Sequence, residues 1–171
     1  MLHAAVITQF IKTLQNLSAY FDKAAEHAAA KKYDPETLLL ARLAPDQFGL
    51  GRQVQIACDT AKFGAMRLTG KAAPAHPDTE KTIAEHKARI ASTIAYLADF
   101  TEADFAGVET KEVTTPRWEG KTLTGEQFAQ QHLIPNFYFH IATAYAILRH
   151  NGVDLGKKDY LGAMPFKAPN A

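Results

Sequence analysis

The stretch from Thr124 to Gly152 constrains this chain most. Thr124 and Gln127 form a capping box, in which the two side chains satisfy each other's backbone donors at a helix start. Gly152 is the matching stop signal, a residue that accepts the backbone conformation needed just past a helix end. The residues between them read as one long amphipathic helix, interrupted by Pro135. Pro135 cannot donate to the carbonyl of Gln131, so the helix bends, bulges or hydrates there. Such a break either lets a long helix wrap its neighbours or marks an irregular turn of the kind found at functional sites. His132, Asn136 and His140 follow at four-residue intervals on one face, with Tyr145, Arg149 and His150 beyond them.

Three further segments show helical periodicity. Val6, Phe10, Leu14, Leu17, Phe21, Ala24 and Ala28 recur at spacings of three and four, predicting a helix over about 4–30 with one core-facing stripe. Asp34-Pro35 then caps a short helical segment through Leu43, which Pro45 ends. A second long helix follows Gly49 and Gly51 and runs to about Leu68, with Gly70 just past its end. Its apolar side is Val54, Ala57, Cys58, Ala61, Ala65 and Leu68, mostly small residues that permit close helix approach.

The Pro-rich link Ala72-Ala73-Pro74-Ala75-His76-Pro77-Asp78 resists helix. At about 3.3 Å per residue such a link can run most of the length of a bundle as a crossover. A third helix is expected to open near Asp78 or Thr79, carrying Ile83, His86, Ile90, Ile94 and Leu97, and Thr101 to Asp104 suits the start of a short turn. Residues 107–123 break the pattern. Val108, Val113, Thr114, Thr115, Trp118, Thr122 and Leu123 prefer strands, and Glu119-Gly120 suits a turn, so a β-hairpin flap or an extended excursion is expected before the last helix. The fold class is therefore all-α, a four-helix bundle forming one domain over residues 1–171, with the tail loosening after Pro165.

Charge excludes some partners. Nineteen Lys and Arg against 18 Asp and Glu leave a net charge of +1, and no basic cluster suits nucleic acid or a membrane surface. Gln9, Lys12 and Gln15 interrupt the first apolar segment, and the start lacks the pattern of a signal peptide. The single cysteine, Cys58, cannot form an intrachain disulfide, which fits a reducing cytoplasmic setting.

The chemistry concentrates on His140. His132 lies about 12 Å away along the helix axis, too far to share one centre with it. Asn136 and His140 can converge at the i, i+4 spacing, although Asn is a poorer ligand than His for zinc or nickel. A metal-free arrangement needs only His140 and a carboxylate from a facing helix. Asp59 is the candidate, and Gln55 shares its face one turn earlier. That pair would act as general base and orienter, or as a buried hydrogen bond fixing helix register. His86, in the Ile83–Ile90 stripe, reads as a satisfied core histidine, and Cys58 as packing. Phosphate-loop, nucleophile-elbow and CxxC patterns are absent.

Several blocks carry a resemblance: Ala41-Arg42-Leu43-Ala44-Pro45-Asp46, Gln53 to Asp59, Pro135-Asn136-Phe137-Tyr138-Phe139-His140, Ala144 to Val153, and Gly156-Lys157-Lys158-Asp159-Tyr160-Leu161-Gly162. Together they resemble the family catalogued as domain of unknown function 1993, found mainly in bacteria and also in fungi. That family is similar to the DinB/YfiT-like superfamily, to which metalloenzyme chemistry is attributed. The resemblance implies an up-down-down-up bundle, frequently a homodimer, with the long link between the second and third helices. It also implies one His on the second helix and an H-x-x-x-H pair on a later one. Here the pair stands as Asn136-x-x-x-His140, and Gln55 or Asp59 takes the second-helix position. With one of three histidines retained, no metal cofactor is expected. A bound zinc or nickel would use His140, Asn136 and Asp59.

The resulting expectation is a small-molecule site between the second and fourth long helices, lined by Gln55, Asp59, Asn136 and His140 and covered by the 107–123 excursion. The alternatives are a structural or interaction dimer without catalysis, and a metal-dependent hydrolase or transferase.

Overall fold

The stripe predicted for the first helix is buried throughout, from Val6 and Phe10 to Ala24 and Ala28. The computed structural model describes residues 1–167. A π-turn over Ala4–Thr8 leads directly into α1, Gln9–Lys31. Asp34 then caps a 3₁₀ turn over Pro35–Leu40, its carboxylate accepting from the Glu36 N–H at 3.0 Å. This turn ends before Leu43, because Ala41 becomes extended and its carbonyl accepts the N–H of Leu50, the first residue of the next helix.

Helix α2 spans Leu50–Thr69 and stops at Gly70, which takes the left-handed backbone (φ 88°) its position requires. The link 70–82 has no regular structure. Helix α3 is Ile83–Ala98, opening four residues or so later than the sequence suggested. The true cap is Thr82, whose hydroxyl accepts from the Glu85 N–H while the Glu85 carboxylate accepts from the Thr82 N–H. Asp78 and Glu80 are spent instead on arginines, described below.

The excursion is a minimal antiparallel hairpin. Strand β1 (Glu112–Val113) pairs with β2 (Leu123–Thr124), Glu112 opposite Thr124 and Val113 opposite Leu123. Its tip is a 3₁₀ turn over Pro116–Trp118, followed by left-handed Glu119 and Gly120. The final helical rod, residues 125–150, starts at the predicted Thr124–Gln127 capping box and comprises α4 (Gly125–Phe128), a π-turn (Ala129–Leu133) and α5 (Ile134–His150). Of the three outcomes open to Pro135, the helix bulges: the wider turn absorbs the missing donor. Gly152 ends the rod as expected, donating to the Arg149 carbonyl while Val153 donates to Leu148. A last short helix, α6, covers Lys157–Leu161. Phe166 and Lys167 are exposed without regular structure, and the rest of the tail expected to loosen after Pro165 lies outside the described residues.

The chain is mostly helical, and its four long helices pack in pairs around one buried cluster: α2 against α3 and α5, α1 against α3 and α5. Phe10 stacks on Phe137 with ring centroids 3.9 Å apart, and Tyr20 meets Tyr145. Phe21 packs on His86, while His3 reaches the Phe100 carbonyl. The final rod packs tightly on α2 at Gly64, where the Leu133 side chain of the π-turn occupies the space a Cβ would need. At Gly125 the constraint is harder, since a Cβ there would collide with the backbone carbonyl of Val108. Among the described residues no helix is long and apolar enough to cross a membrane.

Candidate functional site

His140 is 8% exposed and its Nδ1 lies 2.7 Å from Gln53 Oε1. Gln53 Nε2 in turn donates to the Phe48 carbonyl at 3.0 Å. That second bond settles the first. A carbonyl only accepts, so the Gln53 amide nitrogen must face Phe48 and its oxygen must face His140. Nδ1 of His140 therefore carries the proton, and Nε2 is left as an unprotonated acceptor with no partner among the described residues. Burial, with Arg52 adding repulsion, lowers the His140 pKa to about 4. The ring is neutral at physiological pH, oriented by its neighbour as a base or hydrogen-bond acceptor should be.

Gln53 was not among the expected site residues. Its signal was available: it stands four before Ala57 and so continues the small-residue stripe, where a glutamine needs a partner. Asn136 meets α2 one turn further on, its amide donating to Thr60 Oγ1 at 2.9 Å.

Asp59 does not pair with His140. Its Oδ1 lies 2.8 Å from Arg89 Nη2 and 3.0 Å from Lys62 Nζ. Arg89 also holds Glu80 at 2.9 Å and Asp78 at 3.0 Å, and Lys62 reaches His76 Nδ1 at 3.2 Å. Both cationic side chains are essentially buried. Gln55 joins this network through Glu80 and Arg52, and Arg52 also pairs with Asp78. Three carboxylates thus balance Arg52, Lys62 and Arg89, and the network ties the irregular link to α2 and α3. Among the buried side-chain atoms of this network in the described residues, only the Arg89 Nε is left without a partner.

A cleft of about 520 Å³ lies between α2 and the final rod, and Asp59, Asn136 and His140 line it. Gln55 does not; it lines a second depression on the other side of Arg52 and Phe48, with His86 and Glu80. Arg52, Ile56, Asp59, Thr60, Phe63 and Arg67 form the α2 wall along one face of the helix, and Phe48 extends it from just before the helix start. Thr115, Pro116, Arg117 and Trp118 of the hairpin tip border the same cleft. His132, too distant to share a centre with His140, nevertheless lines it at the far end, against the Trp118 and Phe128 rings at 5.2 and 5.6 Å. Arg149 is exposed at the end of α5, and Tyr145 packs between Tyr20 and Tyr160. His86 is a core histidine, yet its Nδ1 has no partner, so it is buried without being satisfied.

The donors lining the cleft do not gather into a metal centre. His140 offers Nε2 alone, because its Nδ1 is protonated toward Gln53, Asn136 offers only its amide oxygen, and Asp59 is engaged by Arg89 and Lys62. Among the described residues no three His, Cys, Asp or Glu side chains are grouped closely enough to hold one.

Fold and cleft together define a helical protein with one oriented, neutral histidine where a metal centre would need several ligands. The family model described as "Domain of unknown function (DUF1993)" matches residues 2–161, and the chain belongs to that family. A crystal structure of a DinB family member protein from Shewanella denitrificans is similar to it, at 61% identity and a TM-score of 0.96, covering 99% of this chain and 96% of that one. No curated protein matches the chain.

Proposed function

We propose that the protein binds a small molecule in the cleft between α2 and α5 without a metal, with His140 Nε2 as the central acceptor. The observation that carries this reading is the Phe48–Gln53–His140 relay, which leaves one neutral, unpartnered nitrogen on a side chain lining a cleft of about 520 Å³. That volume falls within the usual range of small-molecule pockets. Residues 1–171 act as one domain in this reading, arranged as an up-down-down-up bundle. Supporting that order, numbers fall along α5 as they rise along α2 (Gln53 with His140, Thr60 with Asn136) and rise together for α1 and α5 (Phe10 with Phe137, Tyr20 with Tyr145). The buried thiol of Cys58 is consistent with a cytoplasmic setting. A ligand-observed NMR screen of polar ring compounds tests the proposal. Hits should bind the wild type and be lost in Ile56→Trp, which fills the cleft from the α2 wall. Equal binding to both proteins would place the ligand elsewhere.

A second reading, self-association, is favoured by the exposed large side chains Leu40, Phe48 and Phe139, at 76%, 58% and 56%. Leu40 and Phe48 line one depression, and Phe139 sits edge-on against His140. Apolar surface of this kind commonly marks an interface. The expected result is a homodimer by sedimentation equilibrium that Phe139→Glu converts to monomer. A wild-type chain that stays monomeric at high micromolar concentration removes this reading.

A further inference from the structure

The charges lining the α2–α5 cleft do not balance. Its only carboxylate among the described residues is Asp59, already held by Arg89 and Lys62. Of its three arginines, Arg52 is paired with Asp78. Arg67 and Arg117 make no ion pair or hydrogen bond to any described residue, and both line the cleft, one from α2 and one from the hairpin tip. Arg67 is half-buried beside the Phe63 ring, 5.6 Å from its centroid, and burial alone lowers its pKa. A guanidinium taken partly out of water without a counter-charge is costly unless something supplies one.

Between these cations stand aromatic faces: Phe63, Trp118, Phe128 and the His132 ring. Burial, with Arg67 adding repulsion, lowers the pKa of His132, which disfavours a positive charge on that ring. This end lies roughly 12 Å along the rod from His140. A guanidinium suits planar anions, and rings stacked beside it suit an apolar body.

Resting on the small-molecule reading above, we infer that the ligand is an organic anion with an aromatic or flat apolar body. Its charged group is held by Arg67 and Arg117 and its body lies against Trp118, leaving its polar end for His140. Carboxylate and phosphate share this chemistry, and the probes separate them.

Trp118 is the chain's single tryptophan, so its fluorescence reports on this end of the cleft alone. The experiment titrates full-length protein with phenylacetate, phenyl phosphate, benzyl alcohol and benzylamine. Saturable change in Trp118 emission is expected with at least one of the two anions, more tightly than with benzyl alcohol and with no binding of benzylamine. Affinity for that anion should fall roughly tenfold in Arg67→Gln, the loss of one charged hydrogen-bond pair, and weaken with added salt. Arg67→Lys should retain part of it, and Arg149→Gln should match the wild type. Melting curves establish that each variant is folded. Benzyl alcohol binding as well as the anions, or Arg67→Gln leaving anion affinity unchanged, overturns the anion inference and leaves the cleft reading standing. If no probe perturbs Trp118, both fail.

Discussion

Arg89→Met is expected to cost about 3–5 kcal/mol of unfolding free energy, the usual penalty for removing one partner from a buried ion network. Arg89 holds Asp59, Asp78 and Glu80 at once from a side chain 1% exposed. Without it, Glu80 keeps only the Gln55 amide, and Asp59 keeps only Lys62. Arg89→Lys should recover little, because a single ammonium cannot reproduce a planar fork that spans three carboxylates. Urea denaturation of the three proteins at neutral pH measures both differences. A loss under about 1 kcal/mol for the Met variant would mean that Lys62 and Arg52 already carry the network.

Mild acid should destabilise the protein before its carboxylates titrate. His140 is lowered to about 4 by burial and then by Arg52, and burial likewise lowers His76, His86 and His132 below the usual histidine value. In the unfolded chain these rings take up protons near the ordinary value of about 6.5. Between those limits the unfolded state binds more protons, so stability is complete above about pH 6.5 and drains away as pH falls toward 4. His140 alone accounts for roughly 3 kcal/mol of this once the range is traversed. Asp78 and Glu80 act later: burial raises both, but Arg52 and Arg89 outweigh it at Asp78 and Arg89 with Gln55 and a backbone bond outweigh it at Glu80, and their contribution is lost as pH falls through their lowered values. The urea midpoint should therefore drop between about pH 7.5 and about pH 5, and drop less in His140→Gln. Matching midpoints at both pH values would show that these rings take up protons as readily in the folded protein as in the unfolded chain.

Much of the fold was legible because local rules act alone there. The α1 stripe, the Thr124–Gln127 box, the glycines at 70 and 152 and the disruption at Pro135 each depend on a few neighbouring residues. The start of α3 was misread because Asp78 is a good cap in isolation but is engaged by Arg52 and Arg89 across the fold. The site divides the same way. Asn136, Asp59 and His140 do line one cleft, but Gln55 lies outside it, and His140 takes Gln53 as its partner. A polar residue on an apolar stripe reveals that it needs a partner, not which one. Arg89 shows the same limit: it stands three past His86 on the buried side of α3, and its three acceptors come from α2 and the link.

The bare backbone at Gly125 has a mechanical consequence. With no side chain there, the Val108 carbonyl sits directly against the start of the last rod, and the Glu126 N–H donates to Glu109 at 3.0 Å. The base of the hairpin is thus riveted to the helix that carries His132, Asn136 and His140. The tip is held differently: beyond the two paired positions the Thr114 hydroxyl donates to the Lys121 carbonyl at 2.8 Å, the chain turns back through left-handed Glu119 and Gly120, and Trp118 packs edge-on against Phe128 and His132. The wall of the cleft that carries Arg117 and Trp118 is thus set against the helix from its base, so a substitution at Gly125 would shift that wall without touching a residue that lines the cleft.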